Sequence, residues 1–168
     1  KIYHKIHDND NVARMLFNKG YVLFYDGNYI ESTVEISKAL QYLKKSKDYE
    51  LIYSCNTLMG NCLEKLVKYN QALKYHRMAL EVVGKMKITD KAHVNNYNVS
   101  SIINVCNLHD LEGEYDKSIK MLTPLVTEDL KKKWPKLYAN VLSNLAYSKM
   151  KSKDYKNVSS MLFESLKI

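Results

Sequence analysis

Proline and glycine are scarce in this 168-residue chain, which contains two prolines and five glycines. An all-β protein needs turn residues between many short strands, so this composition disfavours that class. The long stretches between these few residues favour helices, and we predict an all-α protein. The apolar content of 46% is sufficient for one sizeable folded domain and argues against a disordered segment.

Cysteine is also rare, and the three copies are Cys55, Cys62 and Cys106. An odd number without a CxxC pair indicates neither a disulfide framework nor a zinc knuckle, and it favours a reducing, cytoplasmic location. No stretch approaches the roughly 18 apolar residues of a membrane span, and no basic-then-apolar leader opens the chain. Because the sequence starts at Lys1 without a methionine, a removed leader or anchor would make the location periplasmic instead.

Arginine is nearly absent, because Arg14 and Arg77 are the only ones among 26 basic residues. The formal net charge of +8 favours contact with phosphate, but bidentate recognition of nucleic acid depends on the guanidinium group. The lysine clusters at 44–47 and 131–133 fall near expected turns, where lysine also suits the carboxyl end of a helix. A basic nucleic-acid-binding surface is therefore the least favoured of the alternatives.

Catalytic motifs are missing as well, since the chain has no GxSxG, no glycine-rich phosphate loop and no paired carboxylates on a rigid element. His4 and His7 lack further ligands at a suitable spacing, so we predict a surface pair. Cys55 and Cys62 are seven residues apart, which indicates buried packing, and His109 occupies a core-like position. We predict no enzyme, no catalytic residues, no metal and no cofactor.

A tyrosine recurs behind a short turn at intervals of 40, 46 and 40 residues. The four are Tyr29, Tyr69, Tyr115 and Tyr155. A small residue precedes each tyrosine in the same register: Gly20, Gly60, Cys106 and Ala146. Apolar residues return at three- and four-residue steps on both sides of the turn, which predicts two helices that cross closely at the small residue. A period in this range is typical of a solenoid built from copies of one unit.

This order of residues resembles the tetratricopeptide repeat, whose unit reads W-x2-L-G-x2-Y and then A-x3-F. The resemblance covers about Asp10 to Ile168. Leu16, Asn56, Ile102 and Leu142 stand where the family often has Trp, and the period exceeds the family's 34 residues. The resemblance implies a right-handed α-α superhelix, a solenoid of about four helical hairpins, of the extended-period type found in bacterial regulatory and sensor proteins.

One solenoid domain is therefore predicted over residues 10–168, preceded at residues 1–9 by the tail of an earlier helix or a cap. The repeats are expected at about 10–47, 48–88, 89–130 and 133–168. Neither edge has a polar capping helix, although solenoids need caps for solubility. This predicts either a fragment of a longer protein or an end that pairs with a partner.

Polar residues and prolines predict where the helices start and stop. N-caps are expected at Asp10, at Asp48, and at either Thr89 or Asp90. Pro135 suits the first turn of a helix, because its missing N–H has no partner there in any case. Pro124 falls late in a predicted helix, where a proline removes a backbone hydrogen bond, so we expect a kink or an early stop.

In the family, the first helix of each hairpin lines the inner surface of the superhelix. Counting back from the turn tyrosines gives sixteen lining positions, four of which are Ser54, Leu58, Ser100 and Leu111. The other twelve form the predicted peptide-binding groove: Arg14, Asn18, Tyr21, Tyr25, Asn61, Lys65, Asn104, Asn107, Asn140, Asn144, Tyr147 and Lys151.

Asparagine is enriched in this lining, with six of the sixteen positions against 15 residues in the whole chain. Its side chain offers both a donor and an acceptor, which matches the backbone of an extended peptide. The resemblance implies that role for these asparagines, with packing between helices as the alternative. The tyrosines would either grip apolar side chains of a ligand or pack within the protein.

The resemblance implies a protein- or peptide-binding scaffold, and we predict the partner- or peptide-sensing segment of a larger bacterial regulatory protein. The family's lysine clamp for a chaperone's terminal carboxylate is not reproduced, because Phe17 and either Ser100 or Asn104 occupy its lysine positions. The first alternative is a self-association module that forms a homo-oligomer through uncapped ends.

Overall fold

The computed structural model describes residues 2–86 and 91–168, with side chains for residues 9–86 and 95–168. Within these ranges the chain is helical and has no strand, as the sequence predicted. Its tertiary contacts divide it into two compact units, Lys1–Lys87 and Ile88–Ile168, which are described separately. The assignment of residues 10–168 to one domain stays a prediction.

The first unit contains two helical hairpins. Helix α1 (Ile2–Tyr25) pairs with α2 (Tyr29–Tyr42), and α3 (Tyr49–Lys65) pairs with α4 (Tyr69–Val83). A 3-10 turn at Leu43–Lys45 leads from α2 to α3, and these two helices also pack together. Side chains with less than a tenth of their surface exposed form the core: Ile36, Ala39, Leu51, Cys55, Met59, Cys62, Ala72 and Ala79.

The second unit contains two more hairpins and one short helix. Helix α5 (Lys91–Leu111) pairs with α6 (Tyr115–Leu122), α7 (Glu128–Lys133) follows, and α8 (Pro135–Lys151) pairs with α9 (Val158–Leu166). Helix α8 packs on α5, α6 and α7 as well. The buried core comprises Val99, Ile103, Cys106, Leu122, Leu130, Tyr138, Val141, Leu142 and Leu145.

All four hairpins turn in the same way. The residue two positions before each repeat tyrosine has a positive φ: 80° at Gly27, 60° at Val67, 78° at Gly113 and 66° at Lys153. The N–H of the next residue donates a hydrogen bond to the carbonyl five residues earlier, as Asn28 does to Leu23 at 2.8 Å. This bond satisfies a carbonyl at the helix end that has no partner within the helix. The turns therefore repeat at the spacing of the tyrosines, and the predicted equivalence of the four hairpins is confirmed.

Small residues allow the paired helices to cross closely, as predicted. A Cβ atom at Gly20 would lie 2.7 Å from Ile36 Cδ1, and one at Gly60 would lie 2.5 Å from the His76 ring. In the third hairpin the Ser118 hydroxyl donates to the Cys106 carbonyl at 3.0 Å. A larger side chain at these positions would push the helices apart.

The expected caps have mixed outcomes. Asp10 is not an N-cap, because α1 runs through it from Ile2 without a break. Residues 2–9 thus belong to the first helix, since each aspartate or asparagine costs a helix interior only a fraction of a kcal/mol. Asp48 does cap α3, accepting from the Leu51 N–H at 3.0 Å. Thr89 and Asp90 lie outside the described residues.

Both prolines act as predicted. Pro135 is the first residue of α8. Pro124 stops α6, which ends at Leu122 and passes into a 3-10 turn at Thr123–Leu125. The proline cannot donate to the helical ladder, so the chain leaves the helix before it.

Helix α7 was not predicted from the sequence, which placed lysines 131–133 near a turn. The Thr127 hydroxyl caps this helix by accepting from the Leu130 N–H at 3.2 Å, and Leu130 is buried. Lys131 pairs with Glu164 of α9 at 2.6 Å. The last hairpin also differs, because Asn157 has a φ of 62° and delays the start of α9 to Val158.

Candidate functional site

The predicted lining of α1 is an exposed stripe. Arg14, Asn18, Tyr21 and Tyr25 follow one another at helical spacing, and all four are exposed. The Arg14 guanidinium donates to the Asp48 carboxylate at 2.5 Å, which ties the middle of α1 to the start of α3. Arg14 therefore has its charge compensated within the first unit.

Two tyrosines form the part of this stripe nearest the carboxyl end of α1. The rings of Tyr21 and Tyr25 lie 4.8 Å apart between centroids, and their hydroxyls are 3.2 Å apart. Phe17 continues the row at 6.1 Å from Tyr21. The two rings pack on each other but leave their outer surfaces accessible, since 46% of Tyr21 and 70% of Tyr25 is exposed.

On α3 the lining is less open than predicted. Leu58 is only 5% exposed, so this position belongs to the core and does not line a groove. The Ser54 hydroxyl is occupied by the carbonyl of Glu50 at 2.9 Å. Asn61 is half-buried and Lys65 is exposed, so these two residues carry the accessible chemistry of the helix.

The second unit presents its predicted lining on α5 and α8. Asn104 and Asn107 of α5 are half-buried, as is Asn144 of α8, whereas Asn140 is exposed. Tyr147 is 44% exposed and faces a cation, since Lys151 Nζ lies 5.5 Å from its ring centroid. The ring and the ammonium attract each other through the quadrupole of the ring.

All six asparagines of the lining keep contact with solvent. The Asn144 amide donates to the Asn140 carbonyl of its own helix at 2.8 Å. Within the described part of the chain, no side-chain hydrogen bond engages the remaining five: Asn18, Asn61, Asn104, Asn107 and Asn140. Both the donors and the acceptors of these five amides are therefore available to a ligand. Whether the residues act together as a groove stays a prediction.

The buried thiols and His76 belong to the core. Burial raises the pKa of Cys55 and that of Cys106 to about 12, so neither thiol forms the thiolate that a nucleophile needs. The prediction that Cys55 and Cys62 pack in the interior is confirmed. Burial lowers the pKa of His76 to about 4, which keeps its ring neutral. His109 is buried, as predicted, whereas the side chains of His4 and His7 lie outside the described residues.

Two features were not recognised in the sequence. At the third turn, ligand atoms of His109, Glu112 and Glu114 lie within 4.8 Å of one another. Glu114 already binds Lys117 and His109, each at 2.6 Å, and these contacts lower its pKa, with the lysine contributing most. The short spacing His-x2-Glu-x-Glu at a helix end was the available signal.

The second feature is a cleft between the start of α5 and α7. It is lined by Asn98, Val99, Thr127, Lys133 and Trp134, among others. Lys133 is paired with Asp129 at 2.8 Å. This cleft could not be predicted from the sequence because α7, which forms one wall, was not predicted.

Comparison with known proteins agrees with the fold. No family model matches the sequence, and no curated protein matches it. Among solved structures, RapI in its apo form is similar over 93% of this chain, with a TM-score of 0.77 and 16% identity. YrrB, described as a TPR protein with an unusual peptide-binding site, is similar over 92% with a TM-score of 0.62 and 18% identity.

The chain spans 42% of the length of RapI and 68% of that of YrrB. Identities this low establish the fold alone. Among the described residues, no helix combines the length and the apolar character needed to cross a membrane. The repeated hairpins and these structural neighbours show that the chain has the tetratricopeptide-repeat fold, an all-α solenoid of helical hairpins.

Proposed function

We propose that this protein is a scaffold that binds an extended peptide or an unfolded protein segment along the first helices of its hairpins. The observation that carries this proposal is the set of five accessible asparagines whose side chains have no hydrogen bond in the described residues. A peptide backbone alternates donors and acceptors, and an asparagine offers one of each. A similar fold occurs in YrrB, whose description includes a peptide-binding site.

The wider context that we propose is a bacterial regulatory protein, in which this segment senses a peptide or a partner. Its support is the repeat spacing of 40 to 46 residues, which exceeds the family's 34 and resembles the extended-period repeats of such regulators. Binding without catalysis is part of the proposal, because the accessible groups are amides, phenols and ammonium groups rather than a nucleophile beside a base. A cytoplasmic location is proposed from the three buried free thiols.

The test is selection from a displayed library of random peptides, followed by affinity measurement on purified protein. The selected peptide is titrated against the wild type and against a variant with Asn104→Ala and Asn140→Ala. Each lost pair of hydrogen bonds should weaken binding, by roughly 1 kcal/mol or about fivefold per asparagine. A matched control changes two exposed amides on α4, Asn70→Ala and Gln71→Ala, and should bind like the wild type. Equal affinities for all three proteins would contradict the proposal.

A second candidate function is self-association, because positions that are buried where two hairpins pack within the first unit are exposed on α1 and on α9. Val22 is 58% exposed, whereas Cys62 at the equivalent position of the next hairpin is fully buried. Leu162 of α9 is 40% exposed, whereas the equivalent Ile36 is fully buried. A second copy that stacked its α9 on α1 would cover both apolar faces.

Light scattering across concentration tests this second candidate. Val22→Glu and Leu162→Glu variants should each be monomeric alone, because each lacks one of the two complementary faces. Mixed together, they should form a dimer that grows no further, since one intact face of each kind remains. A wild type that stays monomeric at high concentration would refute self-association and leave peptide binding untouched.

A further inference from the structure

The charge of the lining is one-sided. None of the sixteen lining positions carries an aspartate or a glutamate, although the chain has 18 acidic residues. Three positions carry a cation: Arg14, Lys65 and Lys151. Arg14 is paired with Asp48, but in the described residues neither lysine forms an ion pair. Each unit thus keeps one uncompensated ammonium group on its candidate binding surface.

The same arrangement occurs in both units. Lys65 ends α3, two residues before the left-handed Val67, and the equivalent residue on the neighbouring first helix is Tyr25. In the second unit Lys151 ends α8, and Leu111 is the equivalent residue at the end of α5. Tyr25 is 70% and Leu111 is 52% exposed. Each unit therefore places a lysine that forms no ion pair and an exposed apolar side chain at equivalent ends of two packed helices.

Rings and amides stand one helical turn before these four residues on the same helices. In the first unit they are Tyr21 and Asn61, and in the second unit they are Asn107 and Tyr147. An amide pairs with a peptide bond, a ring accepts an apolar side chain, and an ammonium group pairs with a carboxylate. A ligand that satisfies all three has acidic side chains close to apolar ones on an extended backbone.

We propose, on the basis of the peptide-binding function above, that the ligand is an acidic peptide, and that each unit by itself can bind a carboxylate of such a peptide, the first unit at Lys65 and the second at Lys151. The neighbouring apolar residue of the peptide rests on the exposed ring or aliphatic side chain at the same helix end. Lysine suits this task because its flexible stem and point charge accept a carboxylate in several orientations. A basic peptide is repelled by both units.

Three synthetic peptides of equal length test the proposal by fluorescence anisotropy. They alternate leucine with aspartate, with asparagine or with lysine, so that they differ only in charge. The aspartate peptide should bind most tightly and lose affinity as salt increases, and the lysine peptide should bind least. Lys65→Gln and Lys151→Gln should each weaken the aspartate peptide by roughly three- to fivefold and leave the asparagine peptide unchanged.

Matched controls remove the same charge elsewhere. Lys74→Gln on α4 and Lys120→Gln on α6 change exposed lysines of the second helices at equivalent repeat positions, and should not alter the affinity. Equal binding of the aspartate and asparagine peptides, an equal loss in the control variants, or no binding of the aspartate peptide would overturn the acidic-ligand proposal. If one of these results is found but the asparagine peptide still binds and Asn104→Ala weakens it, the scaffold function stands while the charge preference falls.

Discussion

His76 should make the first unit sensitive to acid. Its ring lies over Gly60 in the crossing of α3 and α4 and is 1% exposed, and neither ring nitrogen has a hydrogen-bond partner in the described structure. Burial therefore lowers its pKa from 6.5 to about 4. As the pH falls, the unfolded chain takes up the proton first, so the unfolded state is favoured.

The size of the effect follows from the two pKa values. They differ by about 2.5, and each unit of pKa corresponds to roughly 1.4 kcal/mol, so the contribution is about 3 kcal/mol. This contribution of the neutral ring to the free energy of unfolding is fully present above pH 7, is lost between about pH 6.5 and 4, and is absent below pH 4. The carboxylates with lowered pKa values, among them Glu35 and Glu164, also cost stability in acid, but at lower pH.

Urea unfolding followed by far-ultraviolet circular dichroism measures the effect in the wild type and in His76→Leu. Because the carboxylates are common to both proteins, the difference between their free energies of unfolding isolates the histidine. We expect His76→Leu to be at least as stable at pH 7.5, since it removes two unpartnered buried nitrogens. Its advantage should grow by about 3 kcal/mol between pH 7 and 4. Parallel curves for the two proteins would show that the buried ring does not titrate as argued.

Further substitutions test the turns, the crossing and the cap. Val67→Gly should raise the free energy of unfolding by about 1 kcal/mol, because valine is strained at a φ of 60°. Gly27→Ala should lower it by a similar amount, because alanine would be strained at the φ of 80° that Gly27 adopts. Thermal denaturation measures both changes. Gly60→Ala should cost about 1–3 kcal/mol, and this cost should shrink when His76 is also alanine, as a double-mutant cycle would show. Asp48→Ala should cost about 1 kcal/mol and Asp48→Asn clearly less, because asparagine keeps the cap; equal losses in urea unfolding would contradict this.

The sequence was sufficient to predict the hairpins because two independent signals share one register. The turn tyrosines mark where the second helices of the first three hairpins begin, and the small residues at Gly20 and Gly60 mark where the pairs of the first unit cross. Both depend on local geometry that few other residue types satisfy. The positive φ at Val67 shows that the register persists even where the favoured glycine is missing.

Other features depend on tertiary contacts that a local pattern does not contain. The residues of helix α7 are mostly charged and read as a link, but the helix is held by the burial of Leu130 and by the contact of Lys131 with Glu164. Asp10 looks like a cap, yet the helix continues through it. The burial of Leu58 depends on its neighbours, so counting positions from the tyrosine could not separate a core residue from a lining one.

The most direct test of peptide binding by the asparagine face is the NMR spectrum of the side-chain amide groups. Adding the peptide selected from the library should shift the NH2 signals of Asn61, Asn104 and Asn107. The signals of Asn28 and Asn70, which lie outside the lining, should stay in place. Shifts confined to Asn28 and Asn70, or no amide shifts with a peptide that binds, would contradict the account.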